Sequence, residues 1–386
     1  IAWQLLHGSN KPQIVMGGGS QHFFGADQLG ERRDPGDDLV RDWLAAGADR
    51  RYVTSAAQLD DLQAGQPVLG LFASEHMTFM AEKTPDSTEP TLTKMATTAV
   101  RLLEQGDAGY FLLVEGGRID HAHHDAKPGW AMLETQEFAN AVTAVMQMIN
   151  IEETLVLVTA DHSHVFTLGG YATRGNPILG HVVKNDDHGL PKDGPDVAAD
   201  GQPYTTLSYA NGPGAVRELP RPMPETGIDA LAQSLVPVFY ENDDGSVEYS
   251  ETHGGEDVAL YAIGPGSEAA RGVIEQNRIY DIMMRALYGP EIPLEAYPPD
   301  QRPARQPTPR PNQAPDQVPD SRPISWSSPE ASLNSFPNAI RLASRRSVTK
   351  RRNPSIWWGS LPGGAAAKAK TLGRSNPSST SASTRC

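Results

Sequence analysis

Three short apolar runs, each abutting a cluster of carboxylates and imidazoles, constrain this chain more than any other feature. Residues 111–114 (FLLV) run into EGGRIDHAHH at 115–124. Residues 154–159 (TLVLVT) run into Ala160, Asp161, His162 and, two residues on, His164. In ETHGGEDVAL at 251–260 the order is reversed, and His253 precedes the apolar residues. Six of the eleven histidines fall in these three places. A lone histidine beside a strand is more often a hydrogen-bonded structural group than a ligand, but three such clusters reverse that reading. Apolar runs of this length, bounded by turn residues, read as buried strands. In α/β proteins ligands gather outside the carboxyl ends of such strands. Carboxylate and imidazole together are donors that a zinc-like ion accepts. The single cysteine, Cys386, excludes thiolate zinc sites and internal disulfides, so any metal here must be held by Asp, Glu and His.

The body of the chain alternates strand-like and helix-like segments. Strands are expected at 13–16, 52–54, 67–72, 110–114, 154–159 and 258–263. Asp37 is expected to cap a helix carrying Leu39, Val40, Trp43 and Leu44, ended by Gly47. Leu92, Met95, Ala96, Ala99, Val100 and Leu103 recur at helical spacing up to Gly106, and Phe138, Val142, Val145, Met146 and Ile149 mark another helix. Such alternation, with near-continuous apolar strands, predicts the α/β class: a mostly parallel central sheet covered by helices on both faces. Residues 170–250, rich in Gly, Pro and Asp, interrupt the alternation and read as a surface insertion.

Charge divides the chain. Residues 301–386 carry 14 Lys and Arg against 3 Asp and Glu, whereas residues 1–300 carry 19 against 44. The acidic body argues against nucleic-acid binding there. No apolar run reaches the roughly 18 to 20 residues of a membrane helix, and the first residues lack the basic-then-apolar pattern of a signal peptide. They read as the middle of a helix running into a strand, which implies that an earlier part of the protein is missing. Residues 291–386 are rich in Pro, Arg and Ser without sustained apolar periodicity, and are expected to be a disordered tail. Two readings of it stand: a basic arm for an anionic surface or nucleic acid, or, the one favoured, sequence from a shifted reading frame or gene fusion.

VEGGRIDHAHH, TADHSH and ETHGGEDV, in this order and spacing, resemble the alkaline phosphatase family, as do IVMGGG at 14–19, RYVTSAAQL at 51–59, LGLF at 69–72 and YTTLSYANGPG at 204–214. The resemblance covers about residues 1–290, implying a partial alkaline phosphatase-like α/β domain with 170–250 as an insertion near the active-site mouth and dimer interface. It implies phosphate monoester hydrolysis through a phosphoserine intermediate, with two zinc ions (Zn2+) and one magnesium ion (Mg2+). It also implies a phosphomonoester substrate, a homodimer in the complete protein, and a periplasmic or extracellular location. A sulfatase or phosphodiesterase is the poorer match.

By this resemblance Asp120, His124 and His253 hold the leaving-group zinc, Asp161 and His162 the nucleophile-activating zinc, and Glu115 the magnesium. His121 matches a position beside the phosphate. His123 and His164 are read as supporting or structural groups, and Arg118 as part of a structural ion pair. Ala73, where animal members have Glu, and Glu89, where they have Asp, argue against a calcium site. The family's nucleophilic serine, its phosphate-binding arginine and its bridging aspartate have no counterpart in these residues. The chain alone is therefore expected to be inactive or nearly so, since deleting members of a catalytic unit removes roughly 10³-fold or more. The alternative is a zinc-binding remnant or interaction protein without turnover.

Overall fold

The structure, a computed structural model, describes residues 1–8, 11–106, 109–216, 219–242, 245–289 and, as backbone only, 355–360. Six α-helices occur among them: α1 (Ala2–His7), α2 (Leu39–Ala45), α3 (Leu92–Leu103), α4 (Arg118–His124), α5 (Pro128–Met148) and α6 (Arg278–Tyr288). The strands are β1 (Ile14–Gly17), β2 (Arg51–Val53), β3 (Val68–Leu71), β4 (Phe111–Glu115), β5 (Thr154–Thr159), β6 (Ser163–His164), β7 (Phe166–Leu168), β8 (Leu207–Asn211), β9 (Ser234–Val236), β10 (Phe239–Glu241), β11 (Val247–Tyr249), β12 (His253–Gly254), β13 (Tyr261–Ile263) and β14 (Ser355–Ser360).

The expected α/β architecture is present, with its strands divided between two main sheets. One is parallel throughout, in the order β1-β3-β2; the other runs β13-β5-β14-β4, parallel except for β13. The division follows from hydrogen bonding: β1 and β4 are sheet edges that do not pair. Between the sheets lies a cavity of about 1000 Å³, lined in part by Met16, Leu113, Glu115, Asp120, His121 and His162. β5 is buried at all six positions, which is why its sequence is apolar without alternation.

Helices cover the sheets by their apolar stripes. Val100, Phe138, Val145 and Val156 are each no more than 1% exposed and form one core where α3 and α5 meet the second sheet. Each such side chain contributes about 1.5–3 kcal/mol relative to leaving it in water. Thr91 caps α3 by accepting from the Lys94 N–H. The cap of α2 is Asp38, which accepts from the Arg41 N–H, one residue beyond the expected Asp37. Pro128 opens α5, where its fixed φ and missing N–H cost nothing.

Residues 170–250 contain β8, β9 and the β10–β11 hairpin, and much of their surface is exposed. The expectation of a disordered tail falls on residues outside those described, except Ser355–Ser360. These form β14, paired in parallel with β4 on one side and β5 on the other. Within SIWWGS, Ile356, Trp357 and Trp358 are β-favouring residues inside an otherwise Pro- and Arg-rich stretch.

Candidate metal centre

The first arm of the centre is the turn from β4 into α4. Gly116 lies so close to its neighbours that a Cβ there would meet Ile119 Cδ1 at 2.9 Å and Phe138 Cδ2 at 3.2 Å. A larger residue would push the start of α4 off the core. Within α4, Asp120 and His124 share a face one turn apart, with Asp120 Oδ1 3.4 Å from His124 Nε2. Two residues beyond the helix, Ala126 takes a positive φ of 52° although it is not glycine, and its carbonyl accepts from the Ala232 N–H at 2.9 Å.

The other arms come from β6 and β12. After β5 the chain leaves the strand at Asp161 and His162 and turns into β6. The two-residue strand β12 pairs antiparallel with β6, setting His253 opposite His164. Around Asp120 Oδ1 there are then four imidazole Nε2 atoms: His164 at 3.0 Å, His124 at 3.4 Å, His253 at 3.5 Å and His162 at 3.8 Å. His124 Nε2 and His253 Nε2 lie 3.1 Å apart.

Hydrogen bonds behind the rings aim these nitrogens. His124 Nδ1 donates to the Glu251 carbonyl at 2.6 Å, and His162 Nδ1 to the Ser163 carbonyl at 3.1 Å. A carbonyl only accepts, so each of these rings carries its proton on Nδ1 and turns Nε2 toward Asp120, where it can donate to the carboxylate when protonated or offer its lone pair to a cation when neutral. His121 has the opposite tautomer. Its Nδ1 faces Arg118 Nη1 at 3.2 Å; arginine only donates, so the His121 proton sits on Nε2. His121 borders the cavity as a hydrogen-bond donor, and its ring lies 4.3 Å from that of His76.

The donor set fits a zinc-type ion. The Asp120, His124 and His253 donor atoms are separated by 3.1–3.5 Å, close to the ~3.3 Å between donors held about 2.0–2.1 Å from a tetrahedral ion. Asp120 Oδ1 and His164 Nε2 are buried and, though 3.0 Å apart, neither makes an aligned hydrogen bond among the described residues. Buried polar atoms are normally satisfied, so this pair is a mark of a cation site. Among the described residues three donor groupings have their atoms within 4.8 Å of one another: Asp120–His162–His164, Asp120–His124–His253 and His124–His164–Glu251.

Electrostatics agree with the geometry. Burial alone would raise the Asp120 pKa, but His124 and His164 outweigh it and hold the carboxyl well below the usual range. Burial lowers the His164 pKa, yet Asp120 and Glu251 together push it up to about 9. His123 faces the interior, 5% exposed, with Nδ1 2.8 Å from the Tyr209 hydroxyl. Burial, then the neighbouring His164, lowers it to about 3.

Of the residues singled out from sequence, Asp120, His124, His162 and His253 come together. Asp161 reaches only His162, at 3.4 Å, with its side chain 71% exposed. Glu115 borders the cavity, exposed and outside the three donor groupings. Among the described residues Arg118 makes no ion pair; its guanidinium lies 3.4 Å from the centre of the Phe79 ring, an attraction of cation for π face. Glu89 is engaged by the Thr78 N–H and hydroxyl, both at 2.9 Å. Sequence reasoning undervalued His164 and missed Glu251. The available signal was the two-residue alternation of His162 with His164 and of Glu251 with His253, which on extended chain brings both members to one side.

Fold and centre define an α/β domain with an Asp- and His-lined cluster that could hold a cation, beyond the carboxyl ends of its strands. The chain belongs to the alkaline phosphatase family: the family model described as alkaline phosphatase matches residues 1–288. It is 36% identical over 307 residues to the tissue-nonspecific alkaline phosphatase isozyme of Gallus gallus, covering 74% of this chain and 55% of that protein. It is 35% identical over 292 residues to a membrane-bound alkaline phosphatase of Bombyx mori, covering 72% and 50%. The chain thus spans about half the length of the curated relatives it matches. Among solved structures it resembles a cold-active alkaline phosphatase from a psychrophilic Shewanella sp. (34% identity, 44% of this chain and 38% of that one, TM-score 0.37) and the alkaline phosphatase of the Antarctic bacterium TAB5 (18%, 74% and 62%, TM-score 0.45).

Proposed function

We propose that this chain is the metal-binding part of a phosphomonoesterase that works through a phosphoserine intermediate with two zinc ions and one magnesium ion. The observation that carries this reading is the convergence of Asp120, His124 and His253 donor atoms at 3.1–3.5 Å, in a chain of the alkaline phosphatase family. When bound, such ions supply Lewis-acid stabilisation of phosphoryl oxygens and lower the pKa of water. Asp120, His124 and His253 would hold the leaving-group zinc, Asp161 and His162 the second zinc, and Glu115 the magnesium. His121, its Nε2–H turned outward from Arg118, would donate to the phosphate side. The nucleophilic serine is not among these 386 residues. The complete protein is read as a periplasmic or extracellular homodimer; among the described residues no helix is long and apolar enough to cross a membrane.

The exposure of Glu115 and Asp161, away from the main cluster, favours a second reading for the chain by itself: a zinc-binding protein without turnover. Zinc content after dialysis and p-nitrophenyl phosphate hydrolysis by the 386-residue chain test both. Retained zinc with hydrolysis at least ~10³-fold below a complete enzyme is expected. Loss of all zinc would refute the metal centre, and full-rate hydrolysis would refute the placement of the nucleophile outside the chain.

A further inference from the structure

Glu251 has no solvent exposure at all, and among the described residues no other Asp or Glu is as deeply buried. An ionised carboxylate in such a place costs several kcal/mol unless strong donors compensate. Here they do. Oε1 accepts the Val165 N–H at 2.6 Å and Oε2 accepts His164 Nδ1 at 2.7 Å. The backbone of the same residue grips a second imidazole: its carbonyl accepts His124 Nδ1 at 2.6 Å, and its N–H donates to the His124 carbonyl at 3.0 Å. Gly212 closes over it with a φ of 135°, and a Cβ there would approach Glu251 Cβ to 3.1 Å. Gly212 thus packs against the base of the side chain, and the Val165 and His164 donors hold its carboxylate end.

We propose that Glu251 is a positioning residue of the metal centre: its carboxylate holds His164 against Asp120 while its carbonyl turns His124 Nε2 toward the same oxygen. This rests on the zinc-centre reading above and adds to it the group that orients two of the rings. A carboxylate suits this task better than an amide. Both Glu251 oxygens face donors, so an isosteric glutamine satisfies one and turns an NH₂ against the other. Either the Val165 N–H or His164 Nδ1 then loses its acceptor, and the His164 ring turns or changes tautomer.

The test is zinc affinity of the full 386-residue chain, measured by competition with a chromophoric chelator. Wild type, Glu251→Gln, His164→Gln and the double variant are compared, with the melting temperature of each zinc-free form. Glu251→Gln and His164→Gln are each expected to bind zinc about 10- to 100-fold more weakly, the range for outer partners of metal ligands. The double variant is expected to bind no more weakly than His164→Gln, because the carboxylate acts through that ring. A purely structural role would lower the melting temperature and leave the affinity of the folded chain untouched; wild-type affinity in a folded Glu251→Gln overturns the proposal. Absence of zinc binding by the wild type would instead sink the zinc-centre reading itself. Should the variants not fold, side-chain nitrogen NMR of the wild type decides: His164 with a proton on Nδ1 is expected, and a bare Nδ1 overturns the assignment.

Discussion

The stacked pair His123 and His164, ring centres 4.7 Å apart, gives the zinc-free chain an opposed pH dependence on its two sides. His164 is raised from 6.5 to about 9, chiefly by Asp120 and Glu251 acting against burial. Its folded form binds the proton more tightly than the unfolded chain does. The stabilisation is complete below pH 6.5 and is lost as pH rises through about 9. At 1.36 kcal/mol per pKa unit the loss is about 3 kcal/mol, shared with Asp120 and Glu251 rather than added to their own contributions. His123 runs the other way: burial lowers it to about 3, so the unfolded chain takes the proton first. Stability then falls as pH drops below 6.5, by up to about 4–5 kcal/mol near pH 3. Stability should peak near pH 6.5. On the alkaline side, between pH 6.5 and 9, the melting temperature should fall by on the order of 6 °C. Thermal melts in EDTA from pH 5 to 10 measure this, with His164→Gln expected to flatten the alkaline limb. A wild-type curve that is level from pH 6.5 to 9 would refute the account of His164.

Three further outcomes follow from the centre. Asp120→Asn removes the anionic oxygen that four imidazoles surround, and should weaken zinc binding, read by calorimetry, by more than the ~100-fold upper range for outer partners. Glu115→Gln, exposed and apart from the clustered donors, should leave the tightest zinc affinity within a factor of about two; a tenfold loss would show that Glu115 reaches that ion. Tyr209→Phe deprives buried His123 of its 2.8 Å partner and should cost about 1–3 kcal/mol in urea denaturation without changing zinc stoichiometry.

Local sequence carried the elements well where one physical signal dominated. The apolar runs gave β4 and β5 within a residue; for β5 the reason is complete burial at all six positions, which demands unbroken apolar sequence, whereas in β4 only Val114 is buried. The Asp120–His124 pair was readable because helical spacing fixes which side chains meet. Sequence could not give the division into two sheets, which depends on whether the edges β1 and β4 pair, nor β14, whose partners lie some 200 residues away. The alternation of Glu251 with His253 was legible in sequence, but the burial of Glu251 was not. Its burial is created by Gly212 and His164, neither of which is near it in sequence, and a glutamate in ETHGGED reads by itself as a surface residue. His164 was undervalued because its role is fixed by the acceptor behind the ring.

The pairing of β12 with β6 has an evolutionary consequence. Because His253 stands opposite His164, residues 165–252 leave and return at one point. Lengthening such an excursion costs little, roughly 0.6 kcal/mol for each doubling of a flexible loop. Its inner strand is not free to vary: in β8, Tyr209 meets His123, and Asn211 exchanges hydrogen bonds with Thr252 at 2.9 and 3.0 Å. The stretch from 171 to 203, mostly exposed, carries no such obligation to the imidazoles. Insertion or deletion there can therefore reshape the outer surface while His253 still stands opposite His164 in space.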